Sequence, residues 1–497
     1  MPKTMEEINQ KIKEGSVCVV TADEMVEVVR ELGPEKAAQE VDVVTTGTMG
    51  AMCSSGAIVN VGHADPPIKF QRAWMNGVEV CHPGAAVDFY IGASIMSSTS
   101  PFEYGGGHVI EDLIRGREVE LSGTAYGTDC YPRTRIETSI TKNDLNQFYL
   151  LNFRNGYQKY SCATNSREET IYTYMGKLLP NFGNATFSGS GCLNPLTNDP
   201  EYRTIGIGTR IFLGGTKGYV IGEGTQHNPT TGYGNLMVRG DCKSMSADFI
   251  KGASFTNYGT TLYVGLGIPI PILDKELAKT TGTPDEEIFT ETVDYGIPRA
   301  PHIRPVLREV SYDELKSGRM TIGEKEVKVS PLSSLRNARR IADILKDWIE
   351  KGQFFLSLPV ERLPRDSKFK PMRQTREMKF VRELLHPAVT CREDESVQSV
   401  AERIIDESVN HIVVINSEGY LRGIVTSWDI TNAVAKGKNE LNEIIVREVV
   451  CASPDDPAEL ASRKMAQHHI SALPVVDGQD IVLGIVTTED LSRLLRR

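Results

Sequence analysis

The C-terminal part of the chain repeats itself. Gly423-Ile-Val-Thr-Ser-Trp-Asp429 returns as Gly484-Ile-Val-Thr-Thr-Glu-Asp490, an offset of 484 − 423 = 61, and His411-Ile-Val-Val-Ile returns at the same offset as Ala472-Leu-Pro-Val-Val. Each copy must then form the same small supersecondary unit, which buries its apolar face only by packing on a neighbour. Both copies read as a helix, a β-branched strand, a turn at Glu418-Gly419 or Asp477-Gly478, a second strand and a helix opened by the Asp.

Found in both copies, these motifs resemble a tandem pair of cystathionine-β-synthase (CBS) domains, 379–437 and 438–497. The resemblance implies two βαβ-type modules with an adenosine-containing ligand between them. A hydroxyl just ahead of a helix N-terminus suits a phosphate or similar group, and a nearby carboxylate accepts from ribose hydroxyls. Thr426 and Thr487 take the first role and Asp429 and Asp490 the second. S-adenosylmethionine, AMP and ATP are alternative ligands, and a pair that only dimerises is a further alternative. His468-His469 reads as surface.

A chain of 497 residues exceeds one core and implies two or more domains. Its net charge of −10 argues against nucleic acid or an anionic membrane as the main partner. It has no apolar run of spanning length, and Met-Pro-Lys-Thr-Met-Glu-Glu-Ile lacks a signal-peptide layout, so a cytoplasmic protein is expected. Nine scattered cysteines with no Cys-x-x-Cys pair give neither a disulfide framework nor a cluster-binding spacing. No metal site and no tightly bound cofactor are expected, and any electrons come from another protein.

The front of the chain reads as a Gly-rich mixed α/β domain, 1–360, followed by a basic linker, 361–378, from Arg362 to Arg376. Met5 to Glu14 is a polar-rich helix, Thr21-Ala-Asp-Glu24 opens another ending near Gly33-Pro34, and Ser311-Tyr-Asp-Glu314 opens a third. Ser334 to Gly352 is an amphipathic helix. Val41 to Thr46 is a strand running into the Gly-rich loop Thr45–Gly56, which carries Cys53 among small and hydroxyl residues. In Gly123-Thr-Ala-Tyr-Gly-Thr-Asp-Cys-Tyr-Pro-Arg-Thr-Arg135, Cys130 lies on a turn shaped by Gly127 and Pro132, with Arg133 and Arg135 downstream. Cations beside a sulfur favour the thiolate. Read locally, each cysteine is either a nucleophile or a packing residue. Cys192, in another glycine-rich loop, ranks behind them. His63, Cys81-His82 and His108 lack metal-ligand spacing.

Together the two cysteine motifs and the CBS tail resemble the L-aspartate semialdehyde sulfurtransferase family of homocysteine biosynthesis. That resemblance implies conversion of L-aspartate 4-semialdehyde, a sulfide or persulfide donor and two electrons into L-homocysteine. The electrons are implied to come from a reduced ferredoxin-type iron–sulfur protein. The family's two functional cysteines carry over onto Cys53 and Cys130. On this reading Cys130 carries a persulfide and Cys53 resolves it or closes a transient disulfide, with the two roles exchangeable. Arg133 or Arg135 holds the substrate carboxylate, His82 or His108 moves protons, and the protein is a homodimer. The rivals are an IMP-dehydrogenase-like enzyme, against which the C-terminal place of the CBS pair counts, and an adenylate-sensing regulatory protein.

Overall fold

Local capping rules set the first elements. Thr4 accepts from the Glu7 amide while the Glu7 carboxylate accepts from the Thr4 amide at 2.7 Å, starting the helix Met5–Glu14. The Glu24 carboxylate accepts from the Thr21 amide at 2.8 Å at the start of Ala22–Leu32, which ends at Gly33. Pro34 then begins a further helix, Pro34–Glu40, which the expected turn did not foresee. At Ser311 half of the expected box forms. Its hydroxyl accepts from the Glu314 amide, but the Glu314 carboxylate is drawn to Arg308 at 2.6 Å.

The structure, a computed structural model, describes residues 2–81, 86–297, 304–368, 370 and 379–494, in two units, Met1–Lys370 and Pro371–Arg497. His82 and the Arg373 and Arg376 end of the expected linker lie outside the described residues.

The front unit is mixed α/β, dominated by antiparallel pairing. Its nine-stranded sheet includes Gly259–Gly267, Arg210–Leu213, Thr216–Glu223, Leu236–Asp241, Gln147–Asn155, Ser55–Asn60 and Asp88–Gly92. Thr48–Ala51 pairs with Gly259–Gly267, whereas Ser55–Asn60, only four residues on, pairs with Gln147–Asn155. The sheet therefore returns on itself at the turn between them. The Gly-rich loop expected over Thr45–Gly56 is thus mostly strand, because its small residues let other elements approach. A Cβ on Gly56 would lie 2.3 Å from the Tyr90 ring, and one on Gly47 would lie 2.0 Å from the Ala338 carbonyl oxygen.

Ala338 belongs to Leu335–Glu350, the expected amphipathic helix, which buries Ala338, Ile341, Ala342, Leu345 and Ile349. A four-stranded sheet, in the order Val78–Val80, Arg72–Met75, Val119–Thr124, Arg135–Ile140, carries the Cys130 hairpin. The expected linker begins inside the front unit. Glu361–Arg362 pairs with Gly206–Ile207, Leu363 is buried, Arg365 pairs with Glu201, and the Pro364 carbonyl meets His227 Nε2 at 3.0 Å.

In the tail, Thr390–Cys391 pairs in parallel with His411–Ile415 across the helix Val397–Asp406, and Leu421–Thr426 completes an antiparallel hairpin. Copy two repeats the hairpin with Ala472–Val476 and Val482–Thr487. The entry segments are exchanged: Val381 packs in the core of copy two and Leu441 in that of copy one. No helix among the described residues is long and apolar enough to cross a membrane. Gly47→Ala is expected to destabilise the front unit by about 2 kcal/mol, since a methyl group there meets backbone rather than a movable side chain. Thermal denaturation reads this as a lowered Tm, and an unchanged Tm would contradict the close helix seat.

Candidate active site

Cys53 occupies the corner where the sheet closes. The Ser55 amide donates to the Met52 carbonyl at 3.0 Å, so Cys53 and Ser54 are the central residues of a turn. The Phe153 amide donates to the Ser54 carbonyl at 3.3 Å, tying the corner to Gln147–Asn155, and the Cys53 thiol is exposed. Behind it stands a shell of tyrosines. The phenols of Tyr157 and Tyr258 both feel the Cys53 sulfur electrostatically. Burial pushes Tyr157 up to about 12 and also raises Tyr258, so both are neutral hydrogen-bond donors near neutral pH.

Tyr258 packs against Tyr174 with ring centroids 6.3 Å apart, and the Tyr174 and Tyr295 hydroxyls are 2.7 Å apart. Tyr174 and Tyr258 reach solvent at 37% and 41% exposure, so the shell opens outward beside the thiol. Two guanidinium groups border it. Arg154, next to Phe153, donates from Nη1 to Gln226 at 2.6 Å, and Arg304 stacks 4.0 Å above the Tyr295 ring.

Cys130 is also exposed, on the connection between Val119–Thr124 and Arg135–Ile140. Thr128 and Tyr131 exchange backbone hydrogen bonds of 2.9 and 3.1 Å around it. Tyr131 leans on His63 at 5.8 Å between centroids, and the Arg133 guanidinium donates to the Asp65 and Pro66 carbonyls at 2.6 and 2.9 Å. Arg133 is thus an anchor for its own hairpin. Arg135 is exposed opposite Thr124.

Both thiols are free, and the Cys130 hairpin is anchored to Asp65 and Pro66, which follow the Asn60 end of the strand Ser55–Asn60, whereas Cys53 precedes its Ser55 end. The strand between spans about 20 Å at about 3.3 Å per residue.

His108 lies at the Cys53 end, in the first turn of Gly106–Ile114, whose Gly107 amide donates to the Ala93 carbonyl next to Gly92. Its Nδ1 accepts from the Gly105 amide at 3.2 Å, its ring stacks on Tyr104, and burial pushes its pKa down, favouring neutral imidazole. Cys192 is buried, with its thiol pushed up to about 12 by burial, which makes it a packing residue. No group of three or more metal-ligating side chains occurs among the described residues. In the tail, Thr426 donates to Asp429 and Thr487 to Asp490, each at 2.6 Å, so each pair closes on itself as a helix cap. His386 Nε2 lies 3.3 Å from Asp490.

The tyrosine shell is what motif reading missed. Its members come from residues 157, 174, 258 and 295, with no shared spacing, and only tertiary pairing gathers them.

A model of homocysteine biosynthesis enzymes of the sulfur-incorporation type matches residues 17–356. The chain belongs to this enzyme family. CBS domain models match residues 381–436 and 441–497. A protein of Methanosarcina acetivorans named L-aspartate semialdehyde sulfurtransferase is 50% identical over 497 residues, covering 100% of this chain and 99% of its own. A protein of the same name from Methanocaldococcus jannaschii is 49% identical over 508 residues, covering 99% of this chain and 98% of its own. A crystal structure of a CBS domain pair in complex with 5′-methylthioadenosine and S-adenosyl-L-methionine is 38% identical. It covers 24% of this chain and 97% of that chain, with a TM-score of 0.24.

Iodoacetamide at mildly alkaline pH is expected to modify Cys53 and Cys130 in the native protein while sparing Cys162, whose thiol burial pushes up to about 12, and Cys242, which burial raises well above its ordinary value. Peptide mass spectrometry reads the pattern, and a native Cys53 that resists labelling would contradict the exposed corner.

Proposed function

We propose that this chain makes L-homocysteine from L-aspartate 4-semialdehyde, and that Cys53 and Cys130 handle the sulfur. The observation that carries the reading is an exposed thiol set against neutral tyrosine hydroxyls in a member of the sulfur-incorporation family. A phenol that stays protonated donates to a carbonyl oxygen and polarises it toward attack by sulfur. The full-length relatives' names supply the aldehyde.

The chemistry closes as follows. Hydrosulfide cleaves a Cys53–Cys130 disulfide, leaving a persulfide on one cysteine and a thiol on the other. The outer persulfide sulfur adds to the aldehyde carbon. Attack by the freed thiol re-forms the disulfide and releases the substrate as a thiohemiacetal. Loss of water gives a thioaldehyde, which two electrons and two protons convert to the thiol. The net change joins aldehyde, hydrogen sulfide, two electrons and two protons into homocysteine and water. A persulfide donor instead passes its outer sulfur to a cysteine thiolate, and the disulfide that then forms takes two further electrons. A small ferredoxin-type iron–sulfur protein supplies the electrons.

A disulfide needs Cα atoms within about 7 Å, and the anchoring of the Cys130 hairpin past the Asn60 end of the strand favours pairing between subunits. In this reading the Cys130 hairpin of one subunit serves Cys53 of its neighbour in a homodimer. Tyr126, 82% exposed beside Cys130, suits a hairpin that seats on a second surface. Cys53→Ser and Cys130→Ser are each expected to abolish homocysteine formation with the fold intact. A heterodimer of the two variants keeps one complete site of two and should recover about half of wild-type activity, half being the share of sites left whole. An inactive, verified heterodimer would rule out the shared site, and a fully active Cys130→Ser homodimer would remove Cys130 from the reaction.

The tail in this reading senses an adenosine-containing ligand, S-adenosylmethionine, AMP or ATP, at Thr426–Asp429 and Thr487–Asp490. Each cap uses one carboxylate oxygen, Oδ2, for the threonine, and the other faces a sugar hydroxyl. Calorimetry of the full chain with the three ligands is expected to show binding that Asp429→Ala weakens at least tenfold. No binding by any of the three would leave the pair a dimerising module.

A further inference from the structure

We propose that the tyrosine cluster near Cys53 binds the amino-acid end of the substrate and that Arg304 holds its α-carboxylate. This rests on the reading that a short amino-acid aldehyde is the substrate. The geometry favours Arg304 over the arginines that sequence alone singles out.

The Arg304 guanidinium lies 4.0 Å above the Tyr295 ring. Its Nε and Nη1 are both buried with no hydrogen-bond partner among the described residues. A buried cation whose donors are unanswered is costly, and a carboxylate is the group that answers it best. Arg133 is spent on two backbone carbonyls, Arg203 on Asp274 and Arg308 on Glu314, while Arg154, the other guanidinium at the shell, is held through Nη1 by Gln226 and leaves one buried donor, Nε, unanswered against two on Arg304. Arg133 also sits at the far end of Ser55–Asn60, away from the tyrosines.

From Arg304 a continuous set of contacts leads toward the Cys53 corner. Tyr295 lies under the guanidinium, its hydroxyl meets that of Tyr174 at 2.7 Å, Tyr174 packs on Tyr258, and Tyr258 leads into Gly259–Gly267, whose Leu262 carbonyl accepts at 2.8 Å from the amide of Met52, next to Cys53. The phenolic oxygens accept from an α-ammonium group, and their hydrogens donate to an aldehyde oxygen. The cluster thus offers a cation for a carboxylate and phenols for an ammonium and a carbonyl oxygen, the three polar groups of a 2-amino-4-oxo acid.

The test uses the full-length protein and two unreactive probes, L-homoserine and 3-aminopropan-1-ol, which differ only by the carboxylate. Wild type is expected to bind L-homoserine at least tenfold more tightly than the amino alcohol by calorimetry. Arg304→Ala should lose that preference and raise KM for the semialdehyde at least tenfold, while Arg304→Lys keeps part of both. Thermal denaturation checks that each variant is folded, and the lysine variant carries the test if the alanine variant is not. Undiminished discrimination in a folded Arg304 variant overturns the proposal, as does a KM effect that appears in Arg133→Ala instead. Loss of the carboxylate preference in a protein that makes no homocysteine would uphold Arg304 and overturn the proposed reaction, so the two fail separately.

Discussion

The turn at Met52–Ser55 is the constraint on which the front unit depends. Two short strands that follow each other directly are bound to different partners, Gly259–Gly267 on one side and Gln147–Asn155 on the other. Backbone hydrogen bonding on both sides of a four-residue corner leaves it little freedom. The price of that closure is close backbone packing, met by glycines: Gly47 under helix Leu335–Glu350, Gly56 under Tyr90, and Gly106, where a Cβ would lie 1.9 Å from the Gly92 carbonyl oxygen. A side chain at the apex of such a corner points away from the packed layers. Cys53 is exposed for that reason, while the strands that hold it are almost wholly buried.

The cysteines divide by the same logic. Cys162, in the strand Cys162–Thr164, and Cys242, in the turn after Leu236–Asp241, are fully buried, and desolvation keeps their thiols protonated. Cys53 and Cys130 sit on separate exposed turns, one at the corner before Ser55–Asn60 and one between Val119–Thr124 and Arg135–Ile140. In the proposed chemistry, which uses both, subunit association would have a catalytic meaning rather than only a stabilising one. Arginine usage divides likewise: Arg133 stiffens the hairpin by binding backbone carbonyls, whereas the Arg304 guanidinium stacks over the Tyr295 ring.

In the tail, an exchange of entry segments links two otherwise separate hairpins. Val381 completes the core of the copy that follows later in sequence, and Leu441 completes the earlier one. Neither repeat is whole without a residue from outside its own stretch. The threonine and aspartate pairs that mark the repeat are helix caps in the structure, a local role that leaves one carboxylate oxygen of each free for a ligand.

Sequence alone determined what depends on neighbours along the chain. The caps at Thr4 and Thr21, the apolar stripe of Leu335–Glu350, the tandem repeat and the turn residues around Cys130 were all legible, because a helix start, a 3.6-residue period and a tight turn are decided within a few positions. Two glycine-flanked thiols also stood out as candidates. Tertiary structure decided the rest: that the Cys53 loop is two strands with a turn between them, that Arg133 is an anchor for its own hairpin, and that Tyr174, Tyr258, Tyr295 and Arg304 form one contact cluster. Most of those facts follow from pairings far apart in the chain, from Arg133 with Pro66, 67 positions apart, to Tyr174 with Tyr295, 121 apart. Such contacts form only when the whole sheet closes, so no local pattern encodes them.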